Sequence, residues 1–172
     1  MKAVNWVCYS WNLANFASVC PEVVPPYAVR RAALEDLSMV KTIVLSSFTL
    51  DSEWNPFLRE VRPRIEALLA SAFDEKSEPL CLVVAHGSRI IGASLLSADR
   101  EAANHLLTGP CISMEYRNRG LATVLLAQSL LALREAGLQE ARGVTKQGST
   151  ASHFIYTKFD STRLQPATGG KS

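Results

Sequence analysis

The sequence predicts an α/β layered domain, in which a sheet is covered by helices. Strand-like apolar runs alternate with helical patterns along the chain. A long and almost wholly apolar helix is predicted over 119–136, directly after a strand. Two β-branched runs flank His86-Gly87-Ser88, a composition typical of a hairpin turn. Because a helix that is apolar on nearly every side must be buried on several sides, we expect the long helix to pack against the sheet.

The composition is that of one ordinary globular domain. The chain has 172 residues, of which 48% are hydrophobic and 20% are charged, and these values disfavour disorder. The formal charge of +2 is too small to indicate nucleic acid or an anionic membrane as a partner. No apolar run reaches the roughly 18 residues of a membrane span. The four cysteines form no CxxC pair, so we expect free thiols, no metal site and a cytoplasmic protein.

The N-terminal part of the chain is predicted to be an extension, residues 1–25, ahead of a main domain at 26–172. Its aromatic side chains indicate that it packs onto another part of the protein: Trp6, Tyr9, Trp11 and Phe16. The stretch "VVPPY" closes the extension, because two prolines favour extended backbone. Asparagines and a serine interrupt the apolar residues here, and this pattern disfavours a secretory signal peptide.

The first half of the main domain is predicted to hold a strand followed by helices. Residues 27–32 are typical of a short strand. Acidic residues at 35–36 favour a helix start, and apolar residues continue at helical spacing to about residue 48. Pro56 suits the first turn of a helix. Because Pro63 lacks a backbone donor, it is expected to kink or divide a helix, so we predict two short helices over 51–73.

The second half is predicted to alternate strands and helices. After the hairpin, "NHLLTGPCIS" indicates a strand that is distorted at Gly109-Pro110, because proline cannot donate to a ladder. Gly137 is typical of the residue that follows the end of the long helix. "LQEARGVT" then predicts a strand and "STASHFIYTKF" a short helix. The polar tail has room for at most one further short strand.

Arginines and a glycine stand where the long helix begins, in "RNRGLA" at 117–122. Gly120 has no side chain, so a ligand can approach the backbone closely. The first N–H groups of the helix, at 119–123, have no acceptor within the helix and suit a diphosphate. Arg117 and Arg119 add positive charge. The alternative is that both arginines are solvated and that the glycine serves only the turn.

The stretch "ISMEYRNRGLATVLL" resembles the acyl-CoA-binding motif of the GNAT acyltransferase superfamily, (Q/R)xxGx(G/A). Arg117, Gly120 and Ala122 occupy the three motif positions. "SHFIYTKF" is similar to a later segment of the family, "xxxYxKxGF", with Tyr156 and Lys158 at its matching positions. The order of elements also agrees from about residue 27 to 159.

The C-terminal end departs from the family pattern. Phe159 is followed by an aspartate where the family has a glycine before its phenylalanine, and the tail is too short for the usual final two-strand hairpin. Either the sheet is truncated, or another segment completes it. The N-terminal extension is one candidate for that segment, and a second subunit in a homodimer is the other.

The resemblance implies a mixed sheet that splays open beside the motif and binds acetyl-CoA as a co-substrate. The pantetheine arm would lie along the strand edge, and the diphosphate on the amides of the helix. Ser149 stands where the family usually has an asparagine that bonds the pantetheine region, and the alternative for it is a helix cap. The residues expected to bind acetyl-CoA are Cys111, Ile112, Ser113, Arg117, Asn118, Arg119, Gly120, Leu121, Ala122, Thr123, Ser149 and Ser152.

The implied reaction is direct attack of an amine on the thioester. Tyr156 is expected to protonate the departing thiolate, the alternative being a core tyrosine. His105 is the candidate general base, since it lies on the preceding strand and its imidazole suits the task, but a structural role is open for it. Glu115 and His153 are weaker candidates. A buried structural thiol is favoured over a nucleophile for Cys111.

The resemblance therefore predicts an acetyl-CoA-dependent N-acetyltransferase that acts on an amine of a small molecule or protein. Two alternatives stay open: a non-catalytic CoA-binding regulatory module, and an unrelated α/β binding domain. The acceptor itself is not predicted. Family members build the acceptor pocket from early helices and loops, here about 45–80, and those residues show no decisive charge pattern.

Overall fold

The structure is a computed structural model that describes residues 5–16, 21–74 and 79–164. Within these ranges the chain forms two antiparallel sheets and three α-helices, which confirms the predicted α/β class. Cys20 and residues 165–172 of the tail lie outside the described residues. The strands are β1 Trp6–Asn12, β2 Tyr27–Arg31, β3 Cys81–His86, β4 Arg89–Leu95, β5 Cys111–Ile112, β6 Glu140–Lys146 and β7 Thr162–Leu164. The helices are α1 Leu37–Leu50, α2 Leu58–Ala72 and α3 Leu121–Glu135, and a π-helical turn follows at Ala151–Ile155.

Strand β1 comes from the predicted N-terminal extension and lies in the middle of the three-stranded sheet, in the order β6-β1-β7. It pairs antiparallel with β6 along its whole length, from Trp6 opposite Lys146 to Asn12 opposite Glu140. Alternate side chains of β1 are buried, because successive residues of a strand face opposite sides of the sheet. The extension therefore supplies the strand that completes the sheet, and the short tail supplies the edge strand β7.

The four-stranded sheet has the order β2-β3-β4-β5. The predicted β3–β4 hairpin is present, with Gly87-Ser88 as its two-residue loop. Both faces of these two strands are buried. Leu82 and Val84 belong to the core that contains α3, whereas Val83 belongs to the core formed with α1 and α2. The continuous apolar runs of β3 and β4 are thus explained by helices on both sides of the sheet.

Helix α2 corrects the prediction of two short helices over 51–73. A 3₁₀ turn at Asn55–Phe57 leads into one continuous helix that contains Pro63. Proline removes one hydrogen bond, the one to the carbonyl of Arg59. Pro63 and Arg59 both lie on the exposed side of α2, so water can satisfy that carbonyl. The helix therefore continues through the proline.

Helix α3 confirms the predicted buried helix and begins two residues later than expected. Its C-terminus is closed by Gly137, which has φ +100°. The N–H of Leu138 donates to the carbonyl of Leu133 at 3.1 Å, and that of Gly137 donates to Arg134 at 2.9 Å. This pair of bonds is the Schellman arrangement, which only a residue with left-handed backbone forms easily. The helix packs on β3 and β4 and directs its N-terminus toward the place where the sheets separate.

Candidate active site

The two sheets are joined at one point and separate beyond it. The N–H of His105 donates to the carbonyl of Arg142 at 2.8 Å, and the N–H of Val144 donates to Oδ1 of Asn104 at 3.1 Å. The chain then turns at Gly109, which has φ +67°, and continues as β5 along β4. Strand β5 therefore has a partner on its β4 side, and a cleft opens between it and β6.

The backbone of β5 presents polar groups to this cleft. The N–H of Ser113 donates to the carbonyl of Ile91 at 2.7 Å, so Ser113 is bonded across the ladder to β4. Successive residues of an antiparallel strand point their backbone groups to opposite sides. The N–H and carbonyl of Ile112 consequently face away from β4, toward the cleft. The expected edge for pantetheine at 111–113 thus offers the backbone groups of Ile112.

The N-terminus of α3 is open. Asn118 and Gly120 have positive φ values of 62° and 75°, which makes the turn into the helix tight. A β carbon built on Gly120 meets no atom within 4 Å, so the space before the helix is clear. The N–H of Val124, bonded to the carbonyl of Gly120 at 3.1 Å, closes the first turn. The amides of residues 121–123 precede that bond and have no intrahelical acceptor.

The two arginines of the motif have different partners. Arg117 is partly buried, and its Nε donates to the carbonyl of Ile112 at 3.3 Å. Arg119 is exposed, and its Nη1 donates to the hydroxyl of Tyr27 at 2.9 Å. Its guanidinium also lies 5.1 Å from the ring centre of Tyr116. Both arginines therefore contribute positive charge beside the open amides.

A cavity of about 510 Å³ occupies the space beside the cleft. Residues of α1, α2, the segment 103–110, β6 and the π-helical turn line it, and most of them are apolar. Three sequence-predicted residues line this cavity, namely Cys111, Arg117 and Tyr156. Such a volume and such a lining are typical of a small-molecule site.

The Tyr156 side chain is 1% exposed and forms part of the cavity wall. Its ring packs edge-on against Trp11, with centroids 5.5 Å apart, and against Tyr9 at 5.9 Å. Burial raises the pKa of the Tyr156 hydroxyl, and the neighbouring Cys111 thiol adds to the rise. No hydrogen-bond partner of this hydroxyl occurs in the described part of the chain. Tyr156 therefore keeps its proton at neutral pH, and no acceptor among the described residues is bonded to that proton.

The His105 imidazole is 2% exposed and bonded at both ring nitrogens. Its Nδ1 accepts the N–H of Arg142 at 2.9 Å, which leaves the ring hydrogen on Nε2. Nε2 donates to the carbonyl of Asp99, also at 2.9 Å. Neither nitrogen is available to accept a proton, and His105 is not among the residues that line the cavity. The geometry favours the structural alternative for this residue.

The serines of the predicted cofactor set, Ser149 and Ser152, lie buried at the start of the π-helical turn. The Oγ of Ser149 accepts the N–H of Ser152 at 3.2 Å and is hydrogen-bonded to Oγ1 of Thr145 at 2.9 Å. The carbonyl of Ser152 accepts a hydrogen bond from the hydroxyl of Tyr9 at 3.1 Å. The bond from the N–H of Ser152 to the Oγ of Ser149 has the geometry of a helix cap, which is the alternative stated above for Ser149.

The other predicted candidates do not bring a base to the cavity. Burial raises the pKa of the Cys111 thiol to about 12, so it is protonated at neutral pH and is a poor nucleophile. Glu115 is exposed and pairs with Arg89 at 3.3 Å. His153 is exposed on the π-helical turn.

Asp51 is the carboxylate that sequence reasoning did not single out. It follows the last residue of α1 and lines the cavity. The segment 45–80, in which the sequence shows no decisive charge pattern, contributes both Asp51 and Trp54 to the cavity lining. A carboxylate directly after an apolar helix, before a proline-containing turn, was the available signal. It did not show which side of the protein the loop faces.

The described ranges hold neither a metal-binding cluster nor a membrane-spanning helix. No group of three or more His, Cys, Asp or Glu residues in these ranges is arranged to hold a metal ion. Among the residues that the structure describes, no helix has both the length and the apolar character needed to cross a membrane.

Solved structures with the same fold include three proteins that are about twice as long as this chain. A GCN5-related N-acetyltransferase from Sphaerobacter thermophilus is 15% identical with a TM-score of 0.65, and the match covers 95% of this chain and 50% of that one. A GNAT-family acetyltransferase from Colwellia psychrerythraea is 16% identical with a TM-score of 0.63, covering 94% and 53%. A Drosophila protein is 14% identical with a TM-score of 0.59, covering 95% and 50%. At these identities the likeness shows the fold, and this chain spans about half the length of each.

The sequence itself was compared with family models and with curated proteins. No curated protein matched the chain. The model described as the Acetyltransferase (GNAT) family matches residues 46–160, a range that contains α2, both strands of the hairpin, the motif, α3, β6 and Tyr156. The range is well over half of the chain, and the order of strands and helices agrees with the solved members. The chain therefore belongs to the GNAT family of acetyltransferases.

Proposed function

We propose that this protein transfers an acetyl group from acetyl-CoA to a primary amine by direct attack of the amine on the thioester. The observation that carries the proposal is the open N-terminus of α3, placed beside the cleft-facing edge of β5. Free amides at a helix terminus are a ready site for phosphate groups. The cleft-facing N–H of Ile112 suits a carbonyl of the cofactor arm, while the Ile112 carbonyl accepts a hydrogen bond from Arg117.

The fit of the diphosphate is supported by space and by charge. Gly120 leaves the approach to the amides of 121–123 clear, as no atom lies within 4 Å of the place where its β carbon would stand. Arg117 and Arg119 flank the same terminus with positive charge. A diphosphate bound here would therefore meet both hydrogen-bond donors and cations.

The chemistry proposed for the chain uses Tyr156 as the acid. Its hydroxyl is protonated, lies at the cavity and has no protein partner in the described ranges, so its proton is available to a departing thiolate. The N–H of Ile112, which faces the cleft, is proposed to polarise the thioester carbonyl. His105 is not proposed as the base, because both of its nitrogens are bonded to backbone groups.

A second function, a CoA-binding regulatory module without catalysis, is supported by the absence of a sequence-predicted base from the cavity lining in the described part of the chain. Membership in the acetyltransferase family removes the support for an unrelated α/β binding domain. Free thiols at Cys8, Cys81 and Cys111 support a reducing, cytoplasmic compartment for either function.

The test combines binding with turnover. Calorimetric titration with acetyl-CoA measures binding, and chromatographic detection of free CoA in the presence of amines measures transfer. Binding together with amine-dependent CoA release is the expected result. Binding of acetyl-CoA without release of CoA in the presence of any amine would favour the regulatory module. A protein that binds neither acetyl-CoA nor CoA would contradict both functions.

A further inference from the structure

One wall of the cavity is aromatic. Trp54 lies in the loop after α1, and its ring is 5.1 Å from that of Phe48 and 5.8 Å from that of Trp6. All three residues line the cavity. We call this row the aromatic wall. Strand β1 thus contributes Trp6 to the site as well as completing the sheet.

Aliphatic side chains of α2 continue the aromatic wall. Val61, Ile65 and Leu68 line the same cavity. These side chains have no hydrogen-bonding groups. A hydroxylated or multiply charged molecule placed against them would lose water without gaining partners, which is unfavourable. A molecule with an aromatic or aliphatic body would instead gain the free energy of apolar burial.

Among the described residues, the charged side chains that line the cavity are Asp51, the exposed Arg64 of α2 and Arg117. Asp51 is the acidic one. Its Oδ1 accepts the N–H of Glu53 at 2.9 Å, and its Oδ2 accepts the N–H of Thr150 at 3.2 Å. None of the ion pairs in the described ranges includes Asp51. Each oxygen of a carboxylate has a second lone pair, so Asp51 is held in place yet can accept a further hydrogen bond from a cation.

The position of Asp51 connects it to the proposed reaction centre. Its N–H donates to the carbonyl of Ser47 at 3.2 Å, and Ser47 lines the cavity together with Cys111 and Tyr156. Through Thr150, its carboxylate is also bonded to the residue that precedes the π-helical turn leading to Tyr156. One carboxylate and one protonated phenol therefore border the same apolar space.

Resting on the proposed function, we propose that the acceptor is a primary amine carried by an aromatic or large aliphatic group, and that its nitrogen faces Asp51. The carboxylate attracts the ammonium group, and the aromatic wall with the α2 side chains receives the apolar body. The Asp51 carboxylate distinguishes this acceptor from a neutral apolar molecule, and of the two arginines in the lining Arg117 is assigned above to the cofactor. The lining distinguishes it from polyamines, amino sugars and other polar amines.

In the corresponding step, the ammonium loses one proton to the Asp51 carboxylate, which later passes it to solvent. The nitrogen lone pair forms a bond to the thioester carbonyl carbon, and the carbon–sulfur bond breaks. The electron pair left on sulfur takes the proton of Tyr156. The phenolate regains a proton from the newly bonded nitrogen. The products are the N-acetyl amine, free CoA and one proton released to solvent.

The experiment measures CoA release with phenethylamine, ethanolamine, spermidine, glucosamine and a lysine-containing peptide. Phenethylamine would bury its phenyl ring against the aromatic wall, and ethanolamine has no such ring. The kcat/KM for phenethylamine is therefore expected to exceed that for ethanolamine by about 10- to 100-fold. Trp54→Leu should reduce this preference, because it removes one ring of the aromatic wall.

The role of Asp51 is tested with Asp51→Asn, which should lower kcat/KM for phenethylamine by about 100-fold. Asp99→Asn is the matched control. Asp99 forms the same kind of turn, with Oδ1 accepting the N–H of Glu101 at 3.0 Å, and it does not line the cavity. Its activity should equal that of the wild type.

The outcomes separate this inference from the function on which it rests. A protein that acetylates amines but prefers the polar amines or the peptide overturns the inference about the acceptor. An Asp51→Asn variant with an unchanged rate does the same for the role of Asp51. Failure of the proposed function has a different signature, the absence of amine-dependent CoA release with every amine tested.

Discussion

The hydroxyl of Tyr156 lies directly against the backbone of Gly109. A β carbon built on Gly109 would stand 2.6 Å from the hydroxyl oxygen, closer than real side chains approach. Gly109 is also the residue at which the chain leaves the neighbourhood of β6 and turns toward β4. The opening of the cleft and the position of the proposed acid are therefore set by the same residue.

Replacing Gly109 by alanine is expected to displace the Tyr156 hydroxyl and to lower kcat. Gly109 has φ +67°, so the variant also acquires backbone strain of about 1 kcal/mol or more. Gly87→Ala separates the two effects, because Gly87 has φ +62° and no atom within 4 Å of its added β carbon. Urea unfolding should show destabilisation of both variants, and steady-state kinetics should show a lower kcat for Gly109→Ala alone. Equal kinetics for the two variants would disprove the link.

Removing the Tyr156 hydroxyl tests its proposed role as acid. Tyr156→Phe keeps the ring against Trp11 and removes the proton donor, so kcat should fall by about 100-fold while the Kd of acetyl-CoA stays unchanged. Since burial raises the pKa of this hydroxyl, the wild-type enzyme should show no loss of activity between pH 7 and 9 that depends on Tyr156. Tyr9→Phe removes a buried hydroxyl outside the cavity lining and is the control. An unaltered rate in Tyr156→Phe removes this residue from the mechanism.

Charge at the start of α3 should abolish cofactor binding. Gly120→Glu places a carboxylate where the diphosphate is proposed to sit, and both the volume and the negative charge oppose binding. Gly120→Ala is the control, because its side chain must adopt the same left-handed backbone, φ +75°, but places only an uncharged methyl group in clear space. Calorimetry should therefore find no acetyl-CoA binding by Gly120→Glu and measurable binding by Gly120→Ala. Unchanged affinity of the glutamate variant would exclude the helix terminus as the phosphate site.

The sequence correctly predicted the elements that are set by residues close together in the chain. The hairpin at Gly87-Ser88, the turn at Gly120 and the end of α3 at Gly137 each follow from residues a few positions apart. The helix α2 was predicted wrongly, because the cost of Pro63 depends on exposure. Whether water can reach the carbonyl that loses its donor depends on the tertiary structure, and the local sequence pattern does not contain that information.

The features that could not be predicted depend on partners distant in the chain. Strand β1 was recognised as aromatic and packed, but its pairing with β6 joins residues about 130 positions apart. His105 suited catalysis by residue type, and its structural bonds come from the backbones of Asp99 and Arg142. Asp51 had no distinguishing pattern, since its place in the cavity follows from how the loop after α1 meets the π-helical turn. The open helix N-terminus that is proposed to hold the phosphates could thus be predicted from the sequence, whereas the proposed acceptor pocket could not.

The start of α1 is expected to make stability depend on pH. Arg30 donates from Nη1 to Oδ2 of Asp36 at 2.7 Å and from Nη2 to Oδ1 at 3.2 Å, and the N–H of Ala33 donates to Oδ2 at 2.7 Å. These bonds, with that of Arg30 the strongest, lower the pKa of Asp36 below its ordinary value of 3.8. A carboxylate with a lowered folded-state pKa stabilises the fold above its unfolded pKa, and the contribution is lost as the pH falls through the folded pKa.

Asp36→Asn should therefore reduce the free energy of unfolding at pH 7 by about 1–3 kcal/mol, because it removes a charge-assisted pair at a buried carboxylate. The difference between wild type and variant should shrink as the pH falls from about 4 toward 2, where the wild-type carboxylate also loses its charge. Glu35→Gln, at the exposed neighbouring position, is the control and should match the wild type. Urea unfolding at several pH values measures all three proteins. A difference that stays constant from pH 7 to pH 2 would show that Asp36 acts through packing, since only a charge interaction is removed by protonation.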